Sequence, residues 1–194
     1  MRITAGALRG RRLVSCRGRA TRPTSSKVRE AIFNLLGVHI EGARVLDLFA
    51  GSGALGIEAL SRGACSALFV DSSALARRTI KKNLSALELP SRGRVLGGGT
   101  KSVLGSLSRK GERFDIVFVD PPYGGGMAEE TLEAVSAGGL LTGGGVVVVE
   151  CGKRESLGKK YGALRLRTSR LYGDTRILLF EIPSGGSREA LERQ

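Results

Sequence analysis

Cysteine, histidine, long apolar runs and acidic side chains are all scarce in this 194-residue chain, and each scarcity narrows what it does. The three cysteines, Cys16, Cys65 and Cys151, lie far apart with no paired spacing. That is unlike a disulfide framework or a zinc site, so no metal is expected and a reducing cytoplasm fits. Cys65 and Cys151 read as small apolar fillers. The single histidine, His39, falls in a linker before the first strand of the sheet and reads as a surface or packing residue rather than a catalyst. No apolar run approaches the roughly 20 residues of a membrane span. The N-terminal stretch is basic but has no apolar stretch of the signal-peptide kind.

Acids are outnumbered by bases, 18 to 31, which leaves a net charge of +13. Such an excess favours a polyanionic partner through counterion release. The excess is concentrated: residues 1–30 hold nine basic side chains and one acid, Glu30. Arg9, Arg11, Arg12, Arg22 and Lys27 are the candidate nucleic-acid contacts within this arm. The Arg77, Arg78, Lys81 and Lys82 cluster, and Lys153, Arg154, Lys159 and Lys160, read either as solvated faces or as further contacts.

Hydrophobic residues make up 41% and charged residues 25%, as in a globular domain of ordinary size. Short strands are expected around Ile3 and Leu13–Val14. Pro23 precedes a helix with Thr24 or Ser25 as N-cap. Its positions Val28, Ala31, Ile32, Leu35 and Leu36 recur at the spacing of one buried face, and Gly37 is the expected stop. From residue 43 strands alternate with helices. Strands are predicted at 44–48, 67–70, 94–96, 115–119 and 146–150. Helices are predicted at 53–62, 73–86, 100–108, 127–136 and 153–160. This rhythm predicts a mostly parallel, doubly wound α/β sheet. The runs 164–171 and 175–182 then predict an antiparallel hairpin. Glycines cluster at 97–99, 124–126 and 143–145, where loops are expected. The chain divides into a basic arm and helix (1–37), a catalytic domain (38–182) and a polar tail (183–194), and a monomer is expected.

Two motifs carry chemistry. Asp47-Leu48-Phe49-Ala50-Gly51-Ser52-Gly53 ends the first strand and opens a helix, with Asp71 at the end of the next strand. The glycines allow a tight turn and a close approach to a ligand, and Asp71 is placed to bind the two hydroxyls of an adenosine ribose. On this motif alone a dinucleotide enzyme and a methyltransferase stand equal. Asp47 tips the balance. A carboxylate would repel a pyrophosphate, but it favours the ammonium and sulfonium of S-adenosylmethionine.

The second motif is Asp120-Pro121-Pro122-Tyr123 at the end of the fourth strand, which should face the same crevice. An exocyclic amine on a base is a poor nucleophile because its lone pair is delocalised. The Asp120 carboxylate and the Pro121 carbonyl would accept its N–H groups and draw the nitrogen toward tetrahedral geometry. Pro121 and Pro122 stiffen the loop and remove donors. Tyr123 offers a face for a base turned out of its stack.

These segments resemble class I methyltransferases acting on amino groups of bases. Arg2-Ile3, Gly6, Leu8-Arg9-Gly10-Arg11, then Thr21-Arg22-Pro23-Thr24 and Lys27-Val28-Arg29-Glu30-Ala31-Ile32-Phe33-Asn34, resemble more narrowly the bacterial 16S rRNA guanine-N2 methyltransferases of the RsmD type, over about residues 1–182. The resemblance implies S-adenosylmethionine on Asp47, Phe49, Ala50, Gly51, Ser52, Gly53 and Asp71. It implies that the Thr21–Thr24 segment closes over the cofactor, with Arg22 near the target and Thr24 beside the cofactor. It implies guanine held by Asp120, Pro121 and Tyr123, and 16S rRNA in an assembled or partly assembled 30S subunit as partner. Many such enzymes carry an acid after the third strand that accepts from the adenine amino group. Here Gly97-Gly98-Gly99-Thr100 stands in that place, leaving backbone or Thr100 contacts. The alternatives are an adenine-N6 DNA methyltransferase, disfavoured by the lack of a separate target-recognition domain, and a non-catalytic RNA-binding assembly factor.

Overall fold

A computed structural model of the chain describes residues 1–16, 25–122 and 125–183. The expectations placed on Arg22, Thr24 and Tyr123, and on the tail beyond residue 183, lie outside them.

Helix α1 (Ser26–Leu36) begins where the Ser25 side chain accepts the Val28 N–H, settling the choice of cap. It ends at Gly37, whose positive φ of 50° lets its N–H return to the Phe33 carbonyl. Val28, Ile32, Phe33 and Leu36 are buried, and burying side chains of this size contributes roughly 1.5–3 kcal/mol each. His39 lies half-buried in the short 3-10 turn that follows, Gly37–Ile40.

The alternating region then folds as β1 (Arg44–Leu48), α2 (Ala54–Ser61), β2 (Ser66–Asp71), α3 (Ala74–Ala86), β3 (Gly93–Gly97), α4 (Thr100–Arg109), β4 (Phe114–Val119), α5 (Met127–Ala137) and β5 (Leu141–Gly152). A short strand β6 (Lys160–Tyr161) precedes the hairpin β7 (Leu164–Tyr172) and β8 (Thr175–Glu181). The sheet order is β3-β2-β1-β4-β5-β8-β7-β6. The first five strands are parallel, and β8 enters antiparallel to β5. The central strands β1, β2 and β4 are buried on both faces: Phe69 and Phe118 turn to the cluster that holds Ile57, and Leu48, Val117 and Val119 turn to the other.

Three expectations are corrected. Residues 153–159 form no helix: Glu155 accepts the Gly152 N–H, and the chain turns directly into β6. Gly143–Gly145 lie within β5 rather than in a loop. Between the pairs Phe114–Leu141 and Ile116–Val146 the strand bulges, and Gly144 takes a φ of +79° there. Cys65 is exposed, so it fills no core, whereas Cys151 is buried.

Candidate active site

The carboxyl ends of β1, β2 and β4 converge, and with them the residues singled out from the sequence. Leaving β1, Phe49 adopts a left-handed φ of 60°, unusual for a side chain of its size. The Ala50 N–H donates to the Val70 carbonyl and the Gly53 N–H to the Ala50 carbonyl, closing a tight turn. Gly53 then opens α2 at a φ of +79°. Gly56 has a different duty. A Cβ there would lie 2.3 Å from the Phe69 ring, so its absence lets α2 pack directly on β2.

Asp71 fixes this loop from the neighbouring strand. One carboxylate oxygen accepts the Gly51 N–H at 2.8 Å and the other the Ser73 N–H at 2.8 Å. Asp47 lies beneath the loop, only 2% exposed, and accepts the Gly56 N–H at 2.9 Å. Burial pushes its pKa up to about 7; the Gly56 bond opposes this, and the nearby Asp120 and Asp71 add to it. Three carboxylates therefore share one corner. Asp120 is half-buried at the end of β4, followed by a buried Pro121 and a half-buried Pro122.

Beside this corner opens a cavity of about 940 Å³, in the range of small-molecule pockets. Phe49, Asp71 and Ser72 form one wall, Gly99 and Thr100 a second, and α5 contributes Met127, Glu130 and Thr131. A Cβ on Gly99 would meet nothing, so the wall is open at that position. The α5 wall escaped the sequence reading. Its only signal was the pair Glu129-Glu130 in the first turn of the helix.

The arm reaches the same site. Arg2 and Arg12 pair across an antiparallel bridge, and Ile3 and Leu13 bury in the cluster that holds Val28, Ile32 and Phe33. Glu58, buried on α2, accepts from the Thr4 and Ala5 N–H groups, the Thr4 hydroxyl and Arg62. Arg29, also buried, donates to the Arg2 carbonyl and lies 3.9 Å from Glu58. Desolvation lowers the Arg29 pKa, and Glu58 opposes that. Gly6 is obligatory: a Cβ there would fall 1.9 Å from the Ser61 carbonyl oxygen. Farther along, Asn83 of α3 accepts the Val14 N–H and donates to the carbonyls of Val14 and Ser52, and the Cys16 thiol donates to Gly51. Neither Asn83 nor Cys16 stood out in the sequence, because neither belongs to a motif. Arg9, Arg12 and Lys27 are exposed, while Arg11 donates to the Ala86 carbonyl at the end of α3.

A parallel β3-β2-β1-β4-β5 core with an antiparallel hairpin, a glycine turn after β1, an acid ending β2 and Asp-Pro-Pro ending β4 define a Rossmann-like class I methyltransferase. S-adenosylmethionine is the cofactor of that class, and the buried acids and adjoining cavity suit its cationic end and its adenosine. More narrowly, the chain belongs to the family described as Conserved hypothetical protein 95, matched over residues 1–181, which includes ribosomal RNA small subunit methyltransferase D. It is 35% identical over 190 residues to that enzyme of Escherichia coli, covering 98% of this chain and 94% of the relative. It is 37% identical over 181 residues to YlbH of Bacillus subtilis, covering 93% and 98%. The solved structure of Escherichia coli yhhF superposes with a TM-score of 0.84 at 35% identity, covering 95% and 98%. Among the described residues no helix is long and apolar enough to cross a membrane.

Proposed function

We propose that this chain transfers a methyl group from S-adenosylmethionine to the exocyclic N2 of a guanine in small-subunit (16S) rRNA, within an assembled or partly assembled 30S particle. The observation that carries the reading is the convergence of Asp47, Asp71 and Asp120-Pro121-Pro122 on one corner at the carboxyl ends of three adjacent strands. Its likeness along nearly its whole length to ribosomal RNA small subunit methyltransferase D supports the polymer.

The cofactor supplies an activated methyl on a sulfonium. The chain's own residues supply position and charge. Asp47, buried beneath the loop, would favour the cationic end of the cofactor. Asp71 holds the glycine turn and presents its carboxylate edge to the cavity, where a ribose would lie. Thr100 and the backbone after β3, which line the cavity, would border the adenine. The Asp120 side chain and the Pro121 carbonyl would accept the two N–H groups of the target amine and free its lone pair; as the nitrogen–carbon bond formed and the methyl–sulfur bond broke, the surplus amine proton would pass to the Asp120 carboxylate, and Tyr123 would stack on the base. Holding the reactants in that alignment is the main source of rate. Residues 1–37 serve RNA contact and cofactor closure, and residues 38–182 serve catalysis.

Mass-spectrometric mapping of 16S rRNA from cells with and without the protein tests the reading. One N2-methylguanine that depends on the protein is the expected result. Unchanged 16S rRNA, or methyl transfer to duplex DNA adenine instead, would sink it.

A further inference from the structure

The exposed cations of this chain are not equivalent. At the amino ends of β1 and β3, Arg44 and Arg94 share Glu112, which offsets one of their two charges. At the far sheet edge Arg167 pairs with Glu181 and Arg165 donates to the Gly162 carbonyl. Helix α3 differs. It carries Arg77, Arg78, Lys81 and Lys82 and no acid, and residues 1–16 carry Arg2, Arg9, Arg11 and Arg12 and no acid. Arg77 is occupied with the carbonyls of Asp71 and Ser72. Arg78, Lys81 and Lys82 stand exposed at i, i+3 and i+4, one face of the helix, with no ion pair among the described residues.

What makes this face more than a solvated one is its attachment. The arm lies against α3, fastened by Asn83 to Val14 and by Arg11 to Ala86. The same Asn83 holds the Ser52 carbonyl of the cofactor turn. The arm, α3 and the turn after β1 are thus tied to one another by hydrogen bonds. Three like charges spaced along a helix repel one another at a cost unless an anion spans them.

Resting on the rRNA reading above, we infer that Arg78, Lys81 and Lys82 form, with Arg9 and Arg12, a continuous track for the phosphate backbone of the RNA flanking the target base. The arm alone is half of the RNA-binding surface, and α3 is the other half. Phosphate contacts of this kind set register and affinity without reading sequence.

The test is the triple variant R78Q/K81Q/K82Q, whose changes lie on a solvated face, relieve that repulsion and leave the melting temperature unchanged or slightly raised. With small-subunit particles lacking the methyl group as substrate, KM rises about ten- to a hundredfold, while kcat and cofactor affinity hold. The slope of log affinity against log salt falls by about 2–3, since each lost phosphate contact removes roughly 0.7–0.9. A variant with wild-type KM and salt slope overturns the track. So does R165Q/R167Q/R170Q if it weakens binding equally, because then net charge rather than place decides. Filter binding to 16S rRNA, run in parallel, separates the two claims. A wild-type protein that binds and loses that binding in the triple variant, yet methylates no particle, refutes the functional reading and leaves the track standing.

Discussion

Replacing Asp47 by asparagine probes the buried carboxylate where stability and ligand binding conflict. Asp47 is 2% exposed with a pKa pushed up to about 7, above its ordinary 3.8. In the unfolded chain it ionises near pH 4, whereas in the folded chain it stays protonated until pH 7. A carboxyl raised in this way favours folding below its unfolded pKa, and that favour drains away as pH climbs to the folded value. Between pH 5 and 7 the loss is about 1.4 kcal/mol per pH unit, or roughly 2–3 kcal/mol across the window. The side-chain amide of D47N is neutral throughout and still offers an oxygen to the Gly56 N–H. The advantage of D47N over wild type therefore grows by about 2–3 kcal/mol from pH 5 to pH 8. In a domain of this size that is a relative gain of roughly 5–10 °C in melting temperature. The buried amide has its own cost, about 1–3 kcal/mol, but it is the same at both pH values and cancels in the comparison. Ligand binding moves the other way. A cationic cofactor prefers the carboxylate, so wild-type affinity tightens as pH rises from 5 to 7, while D47N binds more weakly at pH 8 and shows little pH dependence in that window. Thermal melts followed by circular dichroism and cofactor titration by calorimetry read both halves. A D47N advantage that is the same at pH 5 and pH 8 would refute the reasoning.

Further outcomes follow from the packing. Asp120→Ala should lose most methyl transfer while cofactor titration still shows binding; normal turnover would remove Asp120 from the reacting centre. Gly56→Ala drives a methyl into the Phe69 ring and should cost about 1–3 kcal/mol, read as a lower urea midpoint. Glu58→Ala removes the buried acid beside Arg29 and should cost about 3–5 kcal/mol, with hydrogen exchange rising first at Thr4 and Ala5. A maleimide should label exposed Cys65 well before Cys151, whose thiol burial pushes up to about 11; equal labelling in the native protein would contradict its burial.

Much of the site was written in local pattern. The strand-helix alternation placed Asp47, Asp71 and Asp120 at the ends of three strands, and parallel topology obliges such ends to meet at one edge of the sheet. That is why a glycine turn and an Asp-Pro-Pro segment far apart in the chain were legible as one centre. The hairpin at the end of the sheet was equally plain, because alternation of period two needs no distant partner to be seen.

What the chain order alone could not show depends on contacts between distant residues. Residues 153–159 have helical composition, but the need to reach the sheet edge at Lys160 turns them aside. Gly143–Gly145 resemble a loop, yet pairing with β4 absorbs them as a bulge. The cavity wall from α5 and the fastening of the arm through Glu58 and Asn83 join residues more than fifty positions apart. The raised pKa of Asp47 belongs to the same class. Sequence put an acid before the glycines, and only the closing of α2 over it removed the water that would have kept it an ordinary carboxylate.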